Sequence, residues 1–525
     1  MNIAVKVEKP RQQPGATALV SFYAYLAVIV GSASVPAMAI LGTRIIAPLY
    51  GSGLYLWSAL ISVTLAALGA GYAMGGRWAD RGLRLTRFCA VIGLAGVWIA
   101  VIPWLRLPVL AIGGKAGLRA TVLIASTVLF FPPLALLGMI SPYAIRLRAS
   151  SPDVAGRPAG ELYAASTAAG VVAAITTGFF MIPHIGVYRL VLLIGLVLVA
   201  TALLGLAMEH RRTAGLAAIL LLVGGAVLMF RAVLAHTADP ARGVIAVEQS
   251  AYGEIRVVDR EDTRNLIIDG GLHGSVDPST WESLVPYVHV IDIAKEFYTQ
   301  PGEMLLVGLG GGSVAKSFSL DGWRVDAVEI NPRVTRVARR YFGLDSTEAE
   351  VYEMDARRFL LMHNWTYDVI VMDAFGSSSI PFHLVTTEAF GLIRSHLAPG
   401  GILMMNLEAV GWHDVIVRSI AATARQHFAH VLVLPIVEPP DQPGNVVLLA
   451  SDREVNLDLD LPVPRDRFSA AYDRAHAWDN RFEVPVAGNQ VLTDELNPAD
   501  VWSERVSRAM RKEFHAAWAG SGMAW

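Results

Sequence analysis

Apolar positions fall in long, nearly unbroken runs over the first 236 residues and in short alternating runs after that. The long runs lie at about 18–41, 54–75, 88–105, 120–143, 162–182, 188–208 and 214–234. Each approaches or exceeds the roughly 18–20 residues that carry a helix across a bilayer. None shows the polar stripe every three or four residues that a soluble helix needs, so the pattern predicts a multi-pass membrane bundle. Pro36, Pro132, Pro133, Gly170 and Gly178 fall inside these runs and are compatible with spans, because neighbouring helices restore the lost backbone bonds. Gly69, Gly71, Gly75 and Gly76 offer small-residue faces where helices can approach closely.

From residue 243 the period shortens. Residues 243–258 and 265–269 alternate with β-branched side chains and read as strands around the polar turn 259–264. A helix is expected over 281–297, ended by Pro301-Gly302. Then follow a strand at 304–309, a glycine loop, a helix at 314–320, a strand at 324–330 and a helix at 332–342 opened by proline. Further strands are expected at 351–354, 368–372 and 402–406, with a helix at 391–397 closed by Pro399-Gly400-Gly401. Strand–helix alternation of this kind predicts a parallel sheet covered on both faces. The expected fold class is an α-helical transmembrane bundle (1–236), a β-hairpin subdomain with a linking helix (243–300) and an α/β Rossmann-like, methyltransferase-like domain (301–525).

Composition agrees with this division. Apolar residues make up 54% of the 525 and charged residues 17%, against roughly 25% charged in ordinary soluble proteins. The formal net charge of −2 gives no support to a nucleic-acid partner. One cysteine, Cys89, excludes a disulfide framework and a thiolate cluster. Lys6, Lys9 and Arg11 before an apolar stretch resemble a signal peptide, but the stretch is too long and is read as a first span.

Basic residues set the expected orientation. Arg77, Arg81, Arg84 and Arg87 follow the second run, Arg146, Arg148 and Arg157 the fourth, and Arg211 and Arg212 the sixth, which makes these loops and the N-terminus cytoplasmic. Seven spans would then leave the C-terminal domain outside, where no nucleotide is ordinarily supplied. Either a further segment crosses within 103–119 or one of the seven does not. The expectation is a multi-pass protein of a bacterial inner membrane, with its C-terminal domain in the cytoplasm and the lipid bilayer as a partner. Two features of the membrane half have a structural and a functional reading: Arg44 as an interfacial anchor or a binding group, and Glu161 as a helix N-terminal acid or part of a polar site with the small residues 163–167.

Chemistry concentrates in the C-terminal half. Gly308-Leu309-Gly310-Gly311-Gly312 follows a buried strand and opens a helix, so backbone N–H groups can approach an anionic or polar ligand. Glu329, about 20 residues on, stands where an acid pairs with ribose hydroxyls in dinucleotide-type folds. Asp355, beside Ala356, follows the third strand and can accept from an adenine amine. Asp373 ends the strand 368–372. Each acid has a structural alternative: Asp355 a helix N-cap, Asp373 a turn former, Glu329 a surface acid. Together at successive strand ends they line one crevice and predict a nucleotide site. No His/Cys/carboxylate cluster with metal spacing is present, and no metal is expected.

These segments resemble the spermidine/spermine synthase family of aminopropyltransferases. The resemblance rests on Tyr252-Gly253-Glu254-Ile255, Ile268-Asp269-Gly270, residues 305–312, Val328-Glu329-Ile330, Asp355-Ala356, residues 367–373 and 397–401, Leu492-Thr493-Asp494 and Asn497-Pro498. The first half resembles the membrane part of bacterial membrane-fused spermidine synthases, through residues 44–51, 75–81 and 161–167. The resemblance implies decarboxylated S-adenosylmethionine, or S-adenosylmethionine itself, as co-substrate. It implies that Gly308, Gly310 and Gly312 meet the sulfonium-bearing tail, Glu329 the ribose, and Asp355 and Ala356 the adenine, with Asp373 as proton acceptor. His273 stands where the family tends to carry Gln, and Tyr287 falls near its substrate-side tyrosine. Soluble members carry acids at the positions of Gly311 and Gly376, which clasp the cationic substrate. The expected acceptor is therefore a small amine, putrescine or a related one, or one that differs from it. A second copy of the chain is an open partner. Two rival functions remain at this point: an S-adenosylmethionine-dependent methyltransferase, disfavoured by Leu306 where many of these carry an acid, and a membrane transporter or sensor with a non-catalytic nucleotide domain.

Overall fold

The computed structural model describes residues 14–50, 54–82, 84–113, 118–148, 156–209, 224–225, 227, 238–374, 380–436, 440–453, 461 and 469–518. The chain divides into two compact units, one of residues 1–45 and 57–235, the other of residues 46–56 and 236–525.

The first unit is helical. Its described helices Pro14–Tyr50, Leu54–Asp80, Leu85–Gly113, Leu118–Arg148, Gly156–Thr176 and Val187–Glu209 cover six of the seven apolar runs. Among the described residues, six helical stretches are long and apolar enough to cross a membrane. The run at 214–234 lies almost wholly outside the described residues. No separate crossing forms in 103–113: Pro103 and Pro108 lie inside the third helix, which simply continues. Gly96 and Gly195 bring two helices to backbone contact, since a Cβ on either would lie 2.7 Å from the other's carbonyl oxygen. Of the four glycines expected at a close approach, Gly71 and Gly75 meet the backbone of Ala135 and Met139, whereas Gly69 and Gly76 face open space. Glu161 sits in the second turn of its helix and accepts from Tyr25 Oη (2.9 Å), Arg157 (3.0 Å) and Arg148 (3.3 Å). Arg44 lies half-buried six residues before its helix ends.

The second unit begins with an antiparallel meander, β1 (Val244–Gln249), β2 (Glu254–Arg260), β3 (Thr263–Ile268) and β4 (Gly271–Val276). The single run expected over 243–258 is thus two strands, broken where Ser250 Oγ accepts from the N–H groups of Tyr252 and Gly253 (3.1 and 3.0 Å). Asp269 and Gly270 join β3 to β4 with φ of 46° and 74°, the left-handed pair that a tight hairpin turn demands. The helix expected over 281–297 is shorter. Residues 281–285 are not helical, with Trp281 at a φ of 64° and Val285 extended, Pro286–Ile291 is α-helical and Asp292–Phe297 is 3-10, because a proline suits a helix's first turn but not its interior.

The larger sheet has eight strands: β5 (Glu303–Val307), β6 (Arg324–Val328), β7 (Glu350–Tyr352), β8 (Tyr367–Met372), β9 (Leu397–Val410), β10 (His430–Pro435), β11 (Pro443–Ser451) and β12 (Phe482–Glu483). Their order is β12-β10-β11-β9-β8-β5-β6-β7, parallel from β9 to β7. Met304–Val307 and Val369–Met372 are buried throughout, as strands covered on both faces must be, and separate apolar clusters pack on the two faces. The chain leaves β5 toward β6 on one side, and β8 lies on the other. This makes the carboxyl ends of β5 and β8 a topological switch point, where open α/β sheets bind ligands.

Candidate active site

Three hydrogen bonds hold the strand ends in step: Gly308 N–H to Val328 O (2.8 Å), Asp373 N–H to Val307 O (2.7 Å) and Glu329 N–H to Tyr352 O (3.0 Å). The loop after β5 has φ of 91° at Gly308, 53° at Gly310 and 84° at Gly312. At Gly308 glycine is obligatory twice over, because a Cβ would lie 2.3 Å from Asp373 O. At Gly310 the nearest atom to a Cβ would be His273 O at 3.5 Å, so β4 flanks the loop. Gly311 backs onto the Phe342 ring and Gly312 onto Leu344.

Glu329 is buried and its carboxylate is tied to this loop. One oxygen accepts from Leu309 N–H (3.0 Å) and the other from Asn331 N–H (2.8 Å). Burial raises its pKa, against backbone N–H groups that lower it. Asp355 is the N-cap of the helix Ala356–Met362: one oxygen accepts from Arg358 N–H (2.9 Å) and the other meets His383 Nε2 (2.9 Å). The cap and a ligand contact are compatible, since a carboxylate offers about four lone-pair sites. Ala356 is buried beside it in the core.

Asp373 stands one residue beyond β8, half-buried. One oxygen accepts from Asn406 Nδ2 (2.8 Å) and the other from Tyr287 Oη (3.0 Å). Burial pushes its pKa up to about 7; these two hydrogen bonds oppose the rise and the charge of Glu329 adds to it. Asn406 is in turn held by Asn445 Nδ2, which donates to its Oδ1 (2.9 Å). The turn that the alternative reading of Asp373 concerns, with Gly376 and Ser377, lies outside the described residues. His273 Nε2 is buried and finds no hydrogen-bond partner among the described residues, and burial, with the charge of Arg511 second, lowers the ring's pKa to about 4. A neutral ring with an unmet polar atom beside the glycine loop is chemically suited to a polar ligand group.

Asn406, Glu408, Asn445 and His383 escaped the sequence reading as site residues. The strand expected to end at Asn406 runs on to Val410, which adds Glu408 two positions further on the same face. Its pKa is also raised to about 7 by burial, with Arg511 opposing and Asp373 adding. A visible signal was the polar alternation Asn406-x-Glu408 after an apolar run. Asn445 and His383 come from a hairpin and a 3-10 turn with no local mark in sequence. Among the described residues no three His, Cys, Asp or Glu side chains cluster as a metal site.

Residues 265–458 match the model of the spermine/spermidine synthase domain. A polyamine aminopropyltransferase of Vibrio vulnificus is 30% identical over 219 residues, which is 39% of this chain and 71% of that protein. One from Oceanobacillus iheyensis is 26% identical over 356 residues, 63% of each chain. Among solved structures, a probable spermidine synthase from Corynebacterium glutamicum aligns with 50% of this chain and 93% of its own, at 21% identity and a TM-score of 0.37. By its matched domain and by its identity to the Vibrio vulnificus protein, the chain belongs to the spermine/spermidine synthase family.

Proposed function

We propose that the crevice at the ends of β5 and β8 transfers an aminopropyl group from decarboxylated S-adenosylmethionine to an amine, with Asp373 as the proton acceptor. The observation that carries this is the state of Asp373: a carboxyl with a pKa of about 7, at the switch point, beside a loop open to a nucleotide. An amine's pKa lies near 10, and only its neutral form can attack. Its lone pair forms a C–N bond to the propyl carbon next to the sulfonium, the C–S bond breaks, and that electron pair returns to sulfur, leaving methylthioadenosine. The nitrogen's surplus proton passes to Asp373, whose pKa suits a general base at neutral pH. Tyr287 and Asn406 orient the carboxylate, and Tyr287 borders the acceptor. Gly308, Gly310 and Gly312 leave room for the nucleotide's tail. Glu329 retains lone pairs for the ribose hydroxyls, Asp355 for the adenine amine next to Ala356, and the unmet His273 Nε2 supplies one more polar contact.

The deciding experiment incubates the full-length protein with an amine and, separately, decarboxylated or intact S-adenosylmethionine. Methylthioadenosine from the decarboxylated form supports the reading. S-adenosylhomocysteine from the intact form would replace it with methylation. The same reading puts residues 243–525 on the cytoplasmic side of a bacterial inner membrane, because the nucleotide is made there. A reporter fused after residue 525 and active only in the periplasm would contradict that.

A further inference from the structure

The segment Leu492-Thr493-Asp494 with Asn497-Pro498 is tied to the 3-10 turn Phe382–Leu384 and to the helix that Asp355 caps. Arg357, the second residue of that helix, donates to both oxygens of Asp494 (2.8 and 2.6 Å) and to the carbonyl oxygen of His383 (3.1 Å). Thr386 Oγ1 also donates to Asp494 (2.8 Å), and Asp494 N–H donates to Glu388 (3.1 Å). Asn497 Nδ2 donates to the carbonyl oxygen of Phe382 (2.8 Å). Side chains from outside the turn thus hold the carbonyls of Phe382 and His383. The bidentate Arg357–Asp494 pair adds geometric definition as well as attraction.

The turn so held aims one ring. His383 Nε2 stands 2.9 Å from Asp355 Oδ2, and an ionised carboxylate only accepts, so Nε2 is the donor. The other oxygen, Oδ1, accepts from Arg358 N–H (2.9 Å). With a donor at each oxygen the carboxylate cannot turn, and its remaining lone pairs keep one direction. Such a group suits a base edge that donates, as the exocyclic amine of adenine does, and repels one that offers a carbonyl oxygen in the same place, as hypoxanthine does. We infer that His383 is a positioning residue that sets base specificity, by holding Asp355 as an acceptor for an amino-purine and against an oxo-purine.

This rests on the placement of adenine at Asp355 in the proposed function, and the test separates the two. Full-length protein is titrated by calorimetry with methylthioadenosine and with methylthioinosine, in which an oxo group replaces the amine. Wild type should prefer methylthioadenosine by about a hundredfold or more, as a site built around a hydrogen bond does. His383→Phe keeps an aromatic ring and removes the donor, and should shrink that preference by about tenfold or more, the effect of one charged hydrogen bond. His383→Gln, whose amide nitrogen can reach the place of Nε2, should restore most of it, which a general loosening of the turn would not allow. An unchanged preference in His383→Phe overturns the inference and leaves adenine at Asp355, and so does a loss that His383→Gln fails to restore. Equal binding of the two nucleosides by wild type overturns the placement of adenine and the inference with it. If His383→Phe does not fold, Asp494→Asn decides, because it loosens Arg357 from the turn and leaves the ring in place: a reduced preference supports the inference and an unchanged one overturns it.

Discussion

The two ends of the crevice hold their acids in different ways. At the nucleotide end, Glu329 accepts from backbone N–H groups of the glycine loop and of Asn331, and Asp355 caps a helix. Their positions follow from the backbone itself. At the other end, Asp373 is held by side chains, an amide and a phenol, and Glu408 lies on the open extension of β9. Burial raises the pKa of both carboxyls; at Glu329 backbone N–H groups oppose the rise, and at Asp373, where two side-chain donors oppose it, the pKa is pushed up to about 7. The first arrangement suits a fixed grip on a neutral polar ligand, and the second suits a group that gains and loses a proton.

The comparison is most severely tested where the two ends meet. Gly308→Ala would force a Cβ onto the Asp373 carbonyl at positive φ. The combined strain and overpacking should cost about 2–4 kcal/mol of stability and abolish stabilisation by methylthioadenosine in thermal unfolding. An unchanged melting temperature would mean the loop is free to move away.

Glu329→Gln should weaken methylthioadenosine by about 1.5–3 kcal/mol, the range for charged hydrogen bonds, with calorimetry as the readout. Unchanged affinity would leave Glu329 as a brace for the loop and nothing more. Tyr287→Phe removes a donor to the charged form of Asp373, so the pKa of Asp373 should rise further and the ascending limb of the pH–rate profile should move to higher pH. His273 is held neutral above a pKa of about 4, so a limb near 7 does not belong to it. A limb unmoved in Tyr287→Phe would assign it elsewhere.

The smallest effect concerns stability. A carboxyl whose folded pKa of about 7 exceeds its unfolded value of about 3.9 binds more protons folded than unfolded between those two values. Its contribution to stability therefore falls as pH rises through that window. Asp373→Asn removes the penalty, so the variant should gain melting temperature over the wild type from pH 5 to pH 8. An equal difference at both pH values would show that Asp373 is not strained by burial.

How legible each end was in sequence follows the same division. The glycine loop, Glu329 and Asp355 are set by local order: a strand, a turn, a helix start, and an acid about 20 residues on. The strand–helix alternation was readable for the same reason, as were the six long apolar helices. The acceptor end is assembled from distance. Tyr287 reaches Asp373 across 86 positions, and the link from Asn445 to Asn406 spans 39. Where apolar runs were short, boundaries slipped: β9 begins at Leu397, ahead of the Pro399-Gly400-Gly401 signal read as closing a helix, because Leu397 pairs with Tyr367 of β8, and it runs on to Val410 because pairing with β11 continues past Asn406.

The central claim is that Asp373 accepts the proton in the transfer step. Single-turnover rates at saturating decarboxylated S-adenosylmethionine, for wild type and Asp373→Asn, test it most directly. Asn keeps the shape and both hydrogen-bonding neighbours within reach but is a poor base. The account predicts nearly unchanged nucleotide affinity and a rate lower by about 10²–10⁴-fold, the range for a lost general base. A loss smaller than tenfold would contradict it.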